Sequence, residues 1–215
     1  MWTTPDPVPK WLPLLRAIAG GLFLILGPIR ARGRYRVPSE GGVLILANHL
    51  ADIDPIVVQA ASPRRIYFMA KHELFEMKLI GKFMRWYRAF PVKRGEPDRQ
   101  ALKLAIQLLK EGNVVCIFPE GELSESGELL PILPGCALII RQSGAPAICL
   151  GLRNTNRVMP YGSMIPRPAF RRLDAFFGEP KNFDKHATTE EIVAWIDGQL
   201  RELTDQTEAG PHSLV

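Results

Sequence analysis

The fold is decided by residues 43–55, Val43-Leu44-Ile45-Leu46-Ala47-Asn48-His49-Leu50-Ala51-Asp52-Ile53-Asp54-Pro55. Five apolar residues open this stretch and predict a buried β-strand, and residues 55–61 predict a short helix. Between them lies a polar loop. Because α/β proteins expose their chemistry in the loops that follow strands, this loop is where we expect functional side chains.

The same alternation of strand-like and helical runs continues along the chain. Further strands are predicted at residues 66–70, 114–118, 147–152 and 173–177. Helices are predicted at residues 73–88, 99–111 and 136–143, and a last one is predicted after Thr188, whose spacing to Glu191 is that of a capping box. This order of elements predicts an α/β sandwich.

The composition limits the kind of protein. The 215 residues, 47% of them hydrophobic, can bury one sizeable core, which predicts a single main domain. A formal net charge of +5 permits an anionic partner but does not choose among nucleic acid, a phosphate-bearing metabolite and an acidic membrane. The three cysteines, Cys116, Cys136 and Cys149, lack metal-ligand spacing and read as buried free thiols in a reducing compartment.

The most apolar stretch near the N-terminus covers residues 11–29. Its charge-free part, residues 17–29, is shorter than the roughly 20 residues that a membrane-crossing helix needs. Arginines follow the stretch, whereas a secretory signal has its charges before the apolar run. We therefore predict a helix lying in the membrane interface, with a plain core helix as the alternative.

Four arginines come next at a period of two: Arg30, Arg32, Arg34 and Arg36. In an extended strand they would share one face, where each could contribute about 1 kcal/mol near an anionic leaflet. A solvated strand face is the alternative. We predict that residues 1–37 associate with a membrane, that residues 38–206 form the main domain, and that residues 207–215 are a flexible tail.

Two side chains of the loop after the first strand predict acid–base chemistry. His49 can act as a general base near neutral pH, and Asp54 can reach its second ring nitrogen if the turn folds back. The alternative for Asp54 is a helix N-cap followed by Pro55 at the first helical position.

Two further blocks look like parts of a site. Residues 118–121, Phe-Pro-Glu-Gly, end a predicted strand, and the glycine lets backbone amides approach a ligand. Residues 90–95, Phe-Pro-Val-Lys-Arg-Gly, contain a cation pair, Lys93 and Arg94, which could neutralise a phosphate. Taken singly, each block could equally be an ordinary turn or a solvated charge pair.

Taken together and in this order, the blocks resemble the glycerolipid acyltransferase family typified by bacterial 1-acylglycerol-3-phosphate acyltransferases. His49 and Asp54 match its His-x-x-x-x-Asp block, and residues 118–121 match its Phe-Pro-Glu-Gly block. Residues 70–75, Ala-Lys-His-Glu-Leu-Phe, look like its Ala-Lys-x-Glu-Leu-Phe stretch, and residues 93–95 occupy its Arg-Gly block. The likeness covers about residues 43–152.

The resemblance implies a mixed sheet flanked by helices and an O-acyltransferase active in phospholipid biosynthesis or remodelling. His49 would deprotonate the hydroxyl of a lysophospholipid acceptor, and Asp54 would orient His49. The donor would be an acyl-CoA or acyl carrier protein thioester, with no cofactor and no metal. Substrate-binding residues would be Lys93, Arg94, Gly95, Glu120 and Gly121. Such an enzyme would be peripheral or monotopic at the cytoplasmic face of the cell membrane.

One departure from the family pattern concerns the acceptor. Many members continue Phe-Pro-Glu-Gly with Thr-Arg-Ser, whereas this chain continues with Glu122, Leu123 and Ser124. An acidic Glu122 would repel an anionic acceptor, so zwitterionic or ornithine-type acceptors stay open beside 1-acylglycerol-3-phosphate.

Two rival functions belong to other classes. A metal-dependent hydrolase could use His49, Asp52 and Asp54 as ligands, although the other histidines show no partner spacing. A non-catalytic membrane-binding module would need only the N-terminal helix and arginines. Nucleic acid is not an expected partner, because the basic residues are not interleaved with a stacking platform of aromatics.

Overall fold

The computed structural model describes residues 21–93, 98–163 and 165–205. Within these residues, seven strands form a single mixed sheet in the order β1-β7-β6-β2-β5-β3-β4. The strands are β1 (Ile29–Arg32), β2 (Val43–Ala47), β3 (Ile66–Lys71), β4 (Ala89–Val92), β5 (Val114–Ile117), β6 (Ala147–Arg153) and β7 (Leu173–Phe177).

The pairing of the strands brings the carboxyl ends of five strands to the same edge of the sheet. The central strand β2 lies parallel to β5 and β6, and β3 continues the parallel run to β4. Only β7 runs against its neighbour β6 among the described strands, and β1 lies parallel to β7. The carboxyl ends of β2, β3, β4, β5 and β6 therefore meet at one edge of the sheet, which we call the site edge.

Helices cover both faces of the sheet. The described helical segments are α1 (residues 21–26), α2 (Asp54–Ala61), α3 (Glu73–Glu76), α4 (Lys78–Trp86), α5 (Arg99–Lys110), α6 (Gly135–Ser143), α7 (Thr155–Val158) and α8 (Thr189–Asp205). Helices α5, α6 and α8 pack on one face, and α1, α2 and α4 pack on the other. Successive residues of β2 point to opposite faces and contribute to both cores.

Most of the predicted elements are present. The strands predicted at residues 43–47 and 173–177 have the observed bounds, and the other predicted strands differ by one residue at an end. Thr188 begins the last helix as predicted, because its Oγ1 accepts a hydrogen bond of 3.1 Å from the backbone N–H of Glu191. The predicted fold class, an α/β mixed sheet flanked by helices, is confirmed.

Between β3 and α5, the structure differs from the predictions in two ways. The helix predicted at residues 73–88 breaks at Met77, whose ψ of 120° is extended, into α3 and α4. Residues 89–92 form a strand that the sequence analysis did not predict. Pro91, which lacks a backbone N–H, is tolerated because β4 is an edge strand.

The basic segment is only half extended. Arg30 and Arg32 lie on β1, but Gly33 turns the chain with a φ of 70° and Arg34–Arg36 form a 3-10 turn. The prediction of one strand face with all four arginines is therefore wrong. Arg36 instead binds its own fold, with Nη1 donating to the carbonyl oxygen of Phe177 at 2.7 Å.

Of the apolar stretch predicted as an interfacial helix, residues 21–26 are helical, residues 27 and 28 are not, and Ile29 begins β1. Residues 11–20 and the predicted tail lie outside the described residues. Phe23 and Leu26 are buried against the sheet, whereas Leu24 and Ile25 are 74% and 70% exposed. No helix in the described part of the chain combines the length and the apolar character required to cross a membrane. Within the segment predicted to associate with a membrane, β1 is a strand of the main sheet.

Candidate active site

The loop after β2 is anchored by Asn48. Its side-chain amide donates to the carbonyl oxygen of Leu152 at 3.1 Å, and its carbonyl oxygen accepts from the backbone N–H of the same residue at 2.6 Å. The buried side chain thus extends the pairing of β2 with β6 by one position. This fixes the start of the loop that carries His49.

His49 and Asp54 form a buried pair. The Nδ1 atom of His49 lies 2.9 Å from Oδ2 of Asp54, and the Asp54 side chain has no exposed surface. With Nδ1 held by the carboxylate, Nε2 is the ring nitrogen left to accept a proton. The side chain of His49 is only 7% exposed, so little of the imidazole reaches the surface.

Asp54 folds the loop as well as holding the imidazole. Its Oδ2 also accepts hydrogen bonds from the backbone N–H groups of Leu50 and Ala51, at 2.6 and 2.8 Å. Helix α2 begins at Asp54 itself, and its N-cap position is Ile53. The N-cap alternative is therefore wrong, because the carboxylate turns back to amides that precede the helix.

The ring of Phe118 packs against a face of the imidazole of His49. The two rings are stacked, with centroids 3.9 Å apart and planes inclined by 16°. Phe118 follows directly after β5, which is the neighbour of β2 in the sheet. The ring of His49 is thus held by a carboxylate at one nitrogen and by an aromatic face alongside.

Glu120 supports the backbone of His49. Its Oε1 accepts from the backbone N–H of His49 at 2.8 Å, and its Oε2 accepts from that of Leu130 at 2.8 Å. Burial raises the pKa of this carboxyl, and the two hydrogen bonds oppose that rise. Both carboxylate oxygens of Glu120, which was predicted to bind substrate, therefore accept hydrogen bonds from backbone N–H groups.

Gly121 starts a loop that returns to the backbone of His49. It has a φ of 78°, and a Cβ atom there would lie 2.6 Å from Cδ1 of Leu133. Further along the loop, the backbone N–H of Ser124 donates to the carbonyl oxygen of His49 at 2.9 Å. A glycine is required at position 121 because the left-handed conformation strains other residues.

The predicted phosphate-binding residues are only partly described. Lys93 follows β4 at the site edge, and its backbone N–H donates to Asp98 at 2.9 Å. Since β4 is three strands from β2, about 14 Å separate Lys93 from the His49 strand. Arg94 and Gly95 lie outside the described residues.

The structure gives roles to residues that the sequence analysis did not name as catalytic or substrate-binding. Asn48 and Ser124 hold the backbone on either side of His49, and Phe118 stacks on its ring. Of these three residues, Asn48 carries a signal in the sequence, because it is a polar residue directly after an apolar strand. Among the described residues, no group of three His, Cys, Asp or Glu side chains is arranged to hold a metal ion.

Fold and site together define an α/β protein with a buried histidine–aspartate pair at the carboxyl end of its central strand. Such a pair can remove a proton from a hydroxyl group. The chain belongs to the Acyltransferase family, whose sequence model matches residues 28–153.

Several similar proteins are 1-acyl-sn-glycerol-3-phosphate acyltransferases by name. A 1-acyl-sn-glycerol-3-phosphate acyltransferase of Bacillus subtilis is 35% identical over 60% of this chain and 66% of its own length. The enzyme of the same name from Streptococcus pneumoniae is 29% identical over 76% of this chain and 61% of its own length. A chloroplastic one from Brassica napus is 32% identical over 61% of this chain and 39% of its own length. The chain thus matches from about two fifths to just under two thirds of these relatives.

A solved structure shows the same fold. The crystal structure of the 1-acyl-sn-glycerophosphate acyltransferase PlsC from Thermotoga maritima superposes with a TM-score of 0.75. The match covers 93% of this chain and 81% of that chain at 20% sequence identity.

Proposed function

We propose that this protein transfers a fatty acyl group from acyl-CoA or acyl carrier protein to a hydroxyl of a lysophospholipid such as 1-acylglycerol-3-phosphate. The observation that carries the proposal is the contact of 2.9 Å between His49 Nδ1 and the buried Asp54 carboxylate. The names of the relatives support the reaction and the acceptor class.

The reaction follows from the free nitrogen of His49. Nε2 takes the proton of the acceptor hydroxyl while the oxygen attacks the thioester carbonyl carbon. A carbon–oxygen bond forms, the carbon–sulfur bond breaks, and the leaving thiolate takes the proton from the imidazolium. Asp54 stabilises the imidazolium between these steps, and no acyl group becomes attached to the protein.

The remaining residues have supporting roles in this proposal. Glu120 fixes the backbone of His49, and Gly121 lets the following loop close beside the pair. Lys93, about three strand spacings away, would bind a phosphate of the acceptor or of the donor together with Arg94. The exposed Glu122 keeps a zwitterionic or cationic acceptor headgroup open as an alternative.

The substrates also imply where the protein works. A lysophospholipid acceptor lies in a membrane, so we propose a peripheral or monotopic protein at the cytoplasmic face, attached through residues 1–37. The exposed Leu24 and Ile25 of α1 support this attachment. The three free cysteines fit a reducing compartment.

The test is thiol release from acyl-CoA and from acyl carrier protein with a panel of lysophospholipid acceptors in vesicles. We expect acceptor-dependent release by the wild type and a loss of about 10²–10⁴-fold in His49→Ala. His72→Ala, which changes a more exposed histidine, is the matched control and should keep full activity.

The other outcomes decide against the proposal. Release that needs no acceptor would indicate a thioesterase. Equal rates in the wild type and His49→Ala would show that His49 is not the base. Strong vesicle binding without release from any thioester would favour the non-catalytic membrane module.

A further inference from the structure

Helix α4 has two distinct exposed faces. Leu79 and Phe83 are four residues apart and share one face of the helix, and the half-buried Trp86 lies three residues further along the same face. Leu79 is 83% exposed and Phe83 is 42% exposed. A surface helix of a water-soluble fold normally turns such side chains inward, so this face requires an explanation.

Each of these three apolar residues of α4 is preceded directly by a cation, so the cations have the same spacing of four and three residues. Lys78, Lys82 and Arg85 therefore line a second face directly beside the apolar one, and all three are exposed. No acidic residue lies on α4. The two glutamates of the preceding α3 are paired, Glu73 with Lys71 and Glu76 with His72, both at 3.6 Å. Neither glutamate is paired with a cation of α4, so the charge of the basic face is not neutralised by α3.

The opposite side of α4 is packed and cannot turn outward. Gly81 is buried so closely that a Cβ atom would lie 2.5 Å from the carbonyl oxygen of Phe75. Met84 and Tyr87 pack into the core on the same sheet face as α1 and α2. The fold thus fixes which faces α4 presents to its surroundings.

The packing also places α4 beside the active site. Tyr87, which follows α4, donates its hydroxyl to the carbonyl oxygen of Pro55 at 3.0 Å. Pro55 is the neighbour of Asp54 and lies in the first turn of α2. The end of α4 is therefore tied to the helix that carries the Asp54 carboxylate.

Other exposed apolar side chains lie in the same helical layer. The loop after α7 packs on this layer and is held to α1 by a hydrogen bond of 2.7 Å from the N–H of Ala169 to the carbonyl oxygen of Leu26. The exposed large side chains of α1 and of this loop are Leu22, Leu24, Ile25, Tyr161, Ile165 and Phe170.

We propose that α4 is an interfacial helix that inserts Leu79 and Phe83 into a lipid surface, with Lys78, Lys82 and Arg85 on anionic headgroups. An apolar face bordered by cations is the arrangement of helices that lie in a membrane interface. The inference rests on the membrane location proposed above and adds a second contact, independent of residues 1–37 and of the chemistry at His49.

The first experiment places a probe on α4 of the full chain. The native cysteines are buried, so a thiol-reactive, polarity-sensitive dye should label Leu79→Cys selectively. With vesicles of phosphatidylcholine and phosphatidylglycerol we expect a blue shift of its emission. Lys103→Cys, on the exposed side of α5 in the opposite layer, is the control and should show no shift.

The second experiment measures partition onto the same vesicles by co-sedimentation. We expect Lys78→Gln with Lys82→Gln to weaken partition by about 30-fold, and Leu79→Ser with Phe83→Ser by about 100-fold. Lys103→Gln with Lys110→Gln removes the same charge from α5 and should have little effect. Circular dichroism would confirm that each variant is folded.

The possible results separate a failure of the role proposed for α4 from a failure of the proposed function. A protein that sediments with vesicles but shows no shift at position 79 would overturn the role of α4 and leave the N-terminal attachment standing. An equal loss of vesicle partition in the α4 double variant (Lys78→Gln with Lys82→Gln) and in the α5 double variant (Lys103→Gln with Lys110→Gln) would also overturn the role of α4. A shift with acyl carrier protein but not with vesicles would make α4 a protein-docking helix. The His49→Ala protein should give the same shift, whatever its activity.

Discussion

At the scale of single residues, the site depends on one oxygen atom. Oδ2 of Asp54 accepts from the imidazole of His49 and from two backbone amides. Its other oxygen, Oδ1, is buried without a hydrogen-bond partner among the described residues. The negative charge is therefore concentrated where the imidazolium would form.

Replacing Asp54 by Asn should abolish this arrangement. An amide brings no charge to stabilise the imidazolium, and if its oxygen replaces Oδ2, its NH₂ group is buried without a partner. We expect the rate of acyl transfer to fall by about 10²–10⁴-fold, with a smaller change in KM. Asp52→Asn, at an exposed position of the same loop, should keep wild-type kinetics. Similar losses in both variants would contradict the role of Asp54.

Glu120 makes stability depend on pH in a defined direction. Burial raises the pKa of this carboxyl in the folded protein above its ordinary value of 4.5. At pH values between the pKa of Glu120 in the unfolded chain and its pKa in the folded protein, the folded state therefore holds a proton that the unfolded chain has already released. This contribution to stability is complete below the unfolded pKa and is lost as pH rises through the folded pKa.

The Glu120→Gln variant has no proton to lose at this position. We expect the free energy of unfolding of the wild type, relative to the variant, to decline as pH rises from about 4.5. Urea unfolding at a series of pH values measures this difference. Glu125→Gln, an exposed carboxylate of the same loop, should follow the wild-type curve. A difference that grows with pH would contradict the assigned direction.

At the scale of elements, the contact between β6 and α8 depends on a glycine. A Cβ atom at Gly151 would lie 2.6 Å from Cβ of Leu203 and 2.9 Å from its carbonyl carbon. The helix can approach the strand this closely only because Gly151 lacks a side chain.

Gly151→Ala should therefore force α8 away from the sheet. We expect the free energy of unfolding to fall by about 1–3 kcal/mol. Gly198→Ala, on the open side of α8 with no atom within 4 Å, should raise it by about 0.5–1 kcal/mol, because alanine is the better helix former. Thermal or urea unfolding of both variants gives the comparison. A stabilised Gly151→Ala protein would show that the helix has room to move.

At the scale of the whole molecule, the two helical layers differ. The α5, α6 and α8 layer buries its apolar side chains, whereas the layer with α1 and α4 leaves Leu24, Ile25 and Leu79 exposed. A protein with one apolar and partly basic side is suited to lie on a membrane with that side inward.

The net charge of +5 should make the proposed membrane association dependent on salt. We expect partition onto anionic vesicles to weaken as ionic strength rises from about 0.05 to 0.5 M, because the Debye length shrinks. Apolar contacts should leave a residual binding at high salt. Zwitterionic vesicles are the control and should show little change with salt. Equal salt dependence on both kinds of vesicle would contradict the electrostatic part.

The sequence by itself determined the alternation of elements and the position of His49 and Asp54 after the first buried strand. These features are local: apolar runs, turn residues and short spacings specify them without knowledge of distant neighbours. The capping of α8 by Thr188 is of the same kind. The break at Met77 was missed because the helical pattern of α3 and α4 is continuous across it.

Only the tertiary structure decided which residues support the pair. Phe118 and Glu120 reach His49 because β5 lies beside β2, a pairing between segments about seventy positions apart. The conformation of the basic segment and the exposure of Leu79 depend on packing in the same way. Patterns in sequence record which side chains are apolar or charged, whereas contacts across the sheet arise only when distant strands are brought side by side.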